Sequence, residues 1–293
     1  MSLTRKDTRA YFAAAALMLC AMLFLTASAQ EKNRALTAAA LPFEPSEELV
    51  YEGEFSRALL RGINVAELRF NASRAPGPAA SRAANGETPS TLRFTLDAVS
   101  KGLVSKIFGL TFRQRVESTV EPASFGVMQT SKLDEQGKRR RTSLALFDRA
   151  AGKVVWTERD PNDPTREPRV VSSDFGGAVQ DIASAFYFLR TQPLAPGRSF
   201  EIPISDSGRV YRVPIRVGER KRLKTVLGQV FALRIEAEVF GEERLLRGKG
   251  TLSIWLTDDE RRVPVRAQII NELGTVDLKL KRIAGPFVTA GRK

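Results

Sequence analysis

Strict alternation of apolar and polar residues recurs along most of this chain, and nothing else in it constrains the fold as tightly. Leu92, Phe94, Leu96 and Ala98 alternate with Arg93, Thr95 and Asp97, and Phe231, Leu233, Ile235, Ala237 and Val239 alternate with Ala232, Arg234, Glu236 and Glu238. Tyr211, Val213, Ile215 and Val217 behave alike, as do Val263, Val265, Ala267 and Ile269, and Val276, Leu278 and Leu280. Successive side chains of a strand point to opposite faces, so such runs predict antiparallel strands covered on one face only. Turn chemistry falls between them, at Glu135-Gln136-Gly137, Asp206-Ser207-Gly208, Gly228 and Thr257-Asp258-Asp259-Glu260. About thirteen strands are predicted, near 48–57, 62–71, 91–100, 111–121, 125–134, 138–148, 152–158, 198–205, 209–218, 220–227, 229–240, 248–257 and 261–284, the last divided at Gly274.

Three stretches break the pattern. Residues 72–90, with three prolines and Asn85-Gly86, predict an inserted loop, and residues 159–173, also with three prolines, predict another. Residues 178–191 predict the one helix: Ile182, Ala185, Phe186 and Leu189 fall at helical spacing, and Pro193 ends it. Asp181 is placed in its first turn and Arg190 in its last, a disposition that suits the helix dipole. No repeat of 20–50 residues is present, which removes propellers and solenoids. The expected fold is mainly β: a large curved antiparallel sheet, as a half-barrel, open barrel or sandwich, with one short helix near 178–191.

The N-terminus predicts an address. Arg5, Lys6 and Arg9 precede an uncharged stretch from Ala10 to Gln30, and Ala27-Ser28-Ala29 closes it. A basic region, an apolar core and a small-x-small ending make a secretory signal peptide cleaved after Ala29. The alternative is an uncleaved inner-membrane anchor, since the uncharged window approaches the ~20 residues that span a bilayer. Leu19 before Cys20 excludes a lipoprotein signal, which needs a small residue there. The expected organisation is a signal peptide over 1–29, a flexible lead-in over 30–47, a single β-rich domain over 48–284 and a tail over 285–293. The expected location is the periplasm or cell envelope of a bacterium.

Composition removes several chemistries. The chain has no histidine and one cysteine, Cys20, inside the apolar leader. No Ser-His-Asp or Cys-His device can be built, nor a His/Cys zinc site, a thiol pair or an internal disulfide. Neither cofactor nor metal is expected. The formal net charge is +13, but export argues against a nucleic-acid partner. The densest basic runs, Lys138-Arg139-Arg140-Arg141 and Arg220-Lys221-Arg222, follow glycines at strand ends. There they can discourage edge pairing or attract an anionic envelope surface.

Two stretches are specific enough to carry a resemblance. They are Asp181-Ile-Ala-Ser-Ala-Phe-Tyr-Phe-Leu-Arg190 with Pro196-Gly197, and Trp255-Leu-Thr-Asp-Asp-Glu-Arg-Arg-Val-Pro264-Val265. With the opening Leu49-Val50-Tyr51-Glu52-Gly53, they resemble a family of exported bacterial proteins known as a domain of unknown function. The resemblance covers about 48–284 and implies a signal peptide followed by one β-rich domain, with no activity attached. The chain departs from the family at Asn64, where a glycine is common, and in the 72–90 insertion.

A curved sheet of this kind can hold an apolar ligand in its concave face. The reading is therefore a non-enzymatic periplasmic or envelope carrier module for a lipid or other apolar molecule. Phe186, Tyr187, Tyr211 and Trp255 are the candidate wall residues, because amphipathic aromatics suit a half-wet groove. Trp255 is the sharpest of these, since it points opposite to Ile254 and Leu256 and so needs a covered second face or a groove. The alternative is an envelope adaptor docking another component through sheet edges and basic turns. A carboxylate hydrolase, with Asp258 and Asp259 as acid and base, requires two convergent acids, and adjacent residues of a turn rarely converge.

Overall fold

A computed structural model of the protein describes residues 41–77, 90–101 and 111–285. The predicted signal peptide, the expected lead-in to residue 40, most of the 72–90 insertion and the tail beyond 285 lie outside these. Fourteen strands form one antiparallel sheet in which nearly every strand pairs with its sequence neighbours. Eight precede the helix: β1 (Glu48–Arg57), β2 (Leu60–Pro76), β3 (Ser90–Ser100), β4 (Phe112–Glu121), β5 (Gly126–Gln136), β6 (Arg139–Asp148), β7 (Lys153–Arg159) and β8 (Arg169–Asp174). After α1 (Ile182–Thr191) come β9 (Ser199–Asp206), β10 (Arg209–Thr225), β11 (Gly228–Ala237), β12 (Gly250–Thr257), β13 (Pro264–Asn271) and β14 (Gly274–Ala284). The two halves are stitched by β1 pairing with β14, Tyr51 opposite Leu280, so β8 and β9 are left as the edges. The fold is mainly β with one helix among the described residues, as the alternation predicts.

Four local expectations are corrected. Residues 169–173 of the predicted 159–173 loop belong to β8, an edge strand whose exposed Val170 gives no alternating signature. The predicted strands 209–218 and 220–227 are one strand, β10, with a bulge between Val217 and Arg220. In the 72–90 stretch, Ala72–Pro76 continue β2 and pair with β3 from Phe94 back to Ser90. The helix begins at Ile182 rather than near 178, because the preceding residues are extended to fill the seam of the sheet. Val127 N–H donates to Val179 O, Gln180 N–H to Pro203 O, and Ser205 N–H to Gln180 O. Asp181 is therefore the N-cap and not a first-turn residue: its carboxylate accepts from Ser184 N–H at 2.8 Å, and Ser184 Oγ accepts from Asp181 N–H. Ser118 and Thr130 hydroxyls also donate to that carboxylate, which anchors the helix start to β4 and β5.

The helix packs its aromatic run into the concave face. Phe186 stacks on Phe70 at 3.9 Å, and Tyr187 stacks on Phe94 at 4.3 Å. The expected flexible lead-in does not hold for 41–47. Phe43 is buried edge-on to Tyr187 and Phe94, and buried Glu47 pairs with fully buried Arg190. Arg190 further donates to Pro42 O and Arg261 O, so the helix end, the lead-in and the β12–β13 turn share one guanidinium.

Close approach at the seam demands glycine at one point. Gly208, with φ +77°, closes the β9–β10 turn against β7 and β8, where a Cβ would lie 2.8 Å from Val171 and 2.9 Å from Trp156.

Candidate ligand groove

The structure does not gather the four predicted wall residues into one groove. Cross-strand partners share a face, so the ladder Ile254–Ala267–Leu278–Gly53 places Ile254 on the side that carries Tyr51 and faces α1. Tyr187 is fully buried and Phe186 lies between Phe70 and Tyr51, so both fill the core. Tyr211 pairs with Ile204 and packs with Ile202, Val213 and Ile215 on the same side. Trp255 alone points to the other face. Among the described residues, the pocket on that side lined by Val116, Lys132, Ala145, Phe147, Asp181 and Ile182 has a volume of about 30 Å³, the room of about one water molecule. An enclosed apolar cargo has no space there.

On the outer face the arrangement differs. Trp255 is flanked by Arg234 of β11 and Arg266 of β13, whose guanidinium carbons lie 5.9 and 4.9 Å from its ring centre. Arg266 in turn grips Asp277 with two parallel hydrogen bonds of 2.7 Å, the bidentate geometry that fixes a guanidinium in place. Beyond Arg266 opens a groove of about 620 Å³, within the range of small-molecule sites. Its sheet wall is Val265, Leu280, Arg266, Asp277, Lys279 and Lys281, and its other wall is Leu223, Lys224, Thr225 and Val226 of β10.

That second wall exists because β10 and β11 outrun their neighbours. The last β9 partner of β10 is Ser199, opposite Arg216, and the last β12 partner of β11 is Thr257, opposite Ala232. From Glu219 to Val230 the ladder pairs only with itself, as a two-stranded finger turned at Gly228, whose φ of +88° suits glycine. Leu223 packs against the cluster that contains Trp255, Val265 and Leu280.

The groove combines an apolar finger wall, Leu223 and Val226, with cations held loosely on the sheet. Buried Leu280 opposes Tyr51 and so faces the core side, which turns its neighbours Lys279 and Lys281 outward. Lys279 bonds Glu54 and Lys281 bonds Glu52, each at 2.6 Å, and the Glu52 bond holds the Lys281 ammonium above the ordinary lysine range. Lys224 makes no ion pair among the described residues. Exposed ion pairs are worth about 0.2–1 kcal/mol, so an entering anion can take over Lys279 or Lys281 at small cost.

The acidic turn is structural. Asp259 Oδ1 accepts from Thr257 Oγ1 and from the Arg261 and Arg262 N–H groups, while Asp258 pairs with Arg220. Among the described residues no three His, Cys, Asp or Glu side chains are grouped to hold a metal ion.

The family model described as "Protein of unknown function (DUF3108)" matches residues 57–281. The chain belongs to the DUF3108 family. No functionally curated protein matches it. Among solved structures, a DUF3108 chain of this shape is similar to a beta-barrel-like protein of domain of unknown function DUF1849 from Brucella abortus. The likeness has a TM-score of 0.50 and 11% identity, and covers 81% of this chain and 96% of that one. It concerns the fold alone.

Sequence reasoning marked Trp255 but missed the groove beside it. The signal was present: Lys279 and Lys281 alternate with Leu280 on β14, and the basic Arg220–Lys224 run surrounds Leu223. What linked them was the position of the expected 220–240 hairpin beside β13 and β14, which only the folded chain shows.

Proposed function

We propose that this DUF3108 protein is an exported, non-catalytic binding module of the bacterial envelope that takes an anionic amphiphile in the groove beneath the β10–β11 finger. The observation that carries the reading is the pairing of apolar side chains on the finger wall, Leu223 and Val226, with the exchangeable ammonium groups of Lys279 and Lys281 in an open groove of about 620 Å³. The apolar wall favours a hydrocarbon segment, at roughly 25 cal/mol per Å² removed from water, and the ammonium groups favour a phosphate or carboxylate head. The packing of the α1 aromatics against the concave face favours the outer surface over the inside of the sheet for the carrier reading. The adaptor reading gains less, because Gln180 already covers the β9 edge at 203–205. The absence of histidine and the structural duties of Asp258 and Asp259 support a role without catalysis.

Calorimetric titration of the chain from Gln30 with monomeric dodecyl phosphate tests the site. Saturable binding is expected, about tenfold weaker with dodecyl maltoside or inorganic phosphate, and about tenfold weaker in Lys279→Ala/Lys281→Ala, a factor that corresponds to 1.4 kcal/mol. Binding untouched by that double substitution would place the amphiphile elsewhere and refute the groove.

Export is tested separately. N-terminal sequencing of the protein from the periplasm of its host is expected to begin at Gln30, and a species retaining Met1 in the inner membrane would overturn this.

A further inference from the structure

We infer that the β10–β11 finger is a docking element for an anionic phospholipid surface, an interaction that does not depend on the groove being a ligand site. Its register sorts its side chains. Arg222 opposes Phe231 and Lys224 opposes Gln229 on one face, whereas Leu223 opposes Val230 on the face toward the sheet. At the turn Val226 is 54% and Leu227 39% exposed, and Phe231 is 48% exposed with the Arg220 guanidinium 3.9 Å from its ring centre. Arg220 and Lys221 are satisfied by Asp258 and Glu219, but Arg222 and Lys224 make no ion pair among the described residues.

Protection of a strand edge accounts for a basic run on a ribbon unpaired along both flanks. It does not account for exposed Val226 and Leu227 at the turn, nor for exposed Phe231 beside Arg220 at the base of the same ribbon. Apolar tips set among free cations are what an anionic bilayer surface recognises: the tips enter the interface while lysine and arginine meet the headgroups. A strand-adding protein partner would meet the charged edges instead, and protein interface cores are depleted of lysine.

Flotation of the chain from Gln30 with vesicles tests this. Equimolar phosphatidylcholine–phosphatidylglycerol vesicles are expected to carry about tenfold more protein than phosphatidylcholine vesicles, with the difference lost near 0.5 M salt as screening shortens. Leu227→Asp/Arg222→Glu is expected to lower that binding about tenfold with an unchanged melting temperature. Leu59→Asp/Leu273→Asp serves as the comparison. It alters the exposed leucines of the β1–β2 and β13–β14 turns, at the opposite ends of their strands, and is expected to leave binding intact. Lys279→Ala/Lys281→Ala should also float normally, which separates this surface from the groove. Absence of binding to the anionic vesicles, undiminished binding by the finger variant, or loss in the Leu59/Leu273 variant would each overturn the inference.

Discussion

Glu47→Ala is expected to destabilise the protein by about 3–5 kcal/mol, because it strands a charged guanidinium in the interior. Arg190 is fully buried, pairs with both carboxylate oxygens of Glu47, and lies over the rings of Phe43 and Tyr187 at 5.4 and 5.6 Å. Removing the acid leaves the positive charge with only the carbonyls of Pro42 and Arg261 as hydrogen-bond acceptors. At roughly 2–4 °C per kcal/mol for a domain of this size, the melting temperature should fall by ~10 °C. Replacing both partners with apolar residues, Glu47→Leu/Arg190→Met, should recover much of the loss, because the cost lies in the unpaired charge more than in the missing bridge. Thermal unfolding followed by circular dichroism checks both. A fall of less than about 1 kcal/mol in Glu47→Ala, the scale of an exposed pair, would mean that the lead-in does not hold the helix.

Tyr187→Ala is expected to cost about 3–5 kcal/mol, the range for truncating a buried aromatic, while Tyr187→Phe is expected to be neutral or mildly stabilising. The ring sits between Phe43 and Phe94, but its buried hydroxyl has no hydrogen-bond partner among the described residues. An unsatisfied hydroxyl contributes a desolvation penalty that phenylalanine lacks. Burial also pushes the Tyr187 and Tyr51 hydroxyls well above the ordinary tyrosine value near 10, with a partly opposing effect of the Arg190 charge. The folded state therefore keeps protons that the unfolded chain releases above pH ~10. The stability these groups contribute is complete below that pH and declines as pH rises through the folded-state values. Urea midpoints at neutral pH and above pH ~10 test this: Tyr187→Phe should show a shallower alkaline decline than the parent chain. An equal decline would assign the alkaline sensitivity to other groups.

Much of the architecture was legible because its causes are local. Alternation with period two is set by each strand's own covering, so Leu92–Ala98 and Val276–Leu280 declared themselves without knowledge of their partners. Glycine and aspartate marked the turns because left-handed or tightly bonded backbone favours them wherever it occurs. Reading failed where a residue answers to a distant neighbour. β8 lacks an alternating signal since an edge strand has little to cover. Val179 and Gln180 are extended, against a helical pattern, because the seam between β5 and β9 takes their hydrogen bonds.

The candidate site divides along the same line. By itself the sequence determined the strand periodicity, the helix, the absence of histidine chemistry and the opposition of Trp255 to Ile254 and Leu256, since each depends only on residue type and spacing. Tertiary structure alone decided which face Trp255 meets, that the aromatic run of α1 fills the concavity, and that Glu47 answers Arg190 across 143 residues. It also decided that β10 and β11 run past their neighbours to enclose a groove with β13 and β14. These outcomes depend on how far each strand extends relative to the next and on which side of the sheet the helix settles. Such quantities follow from the free energy of the whole packed assembly, and no local window of the chain contains them.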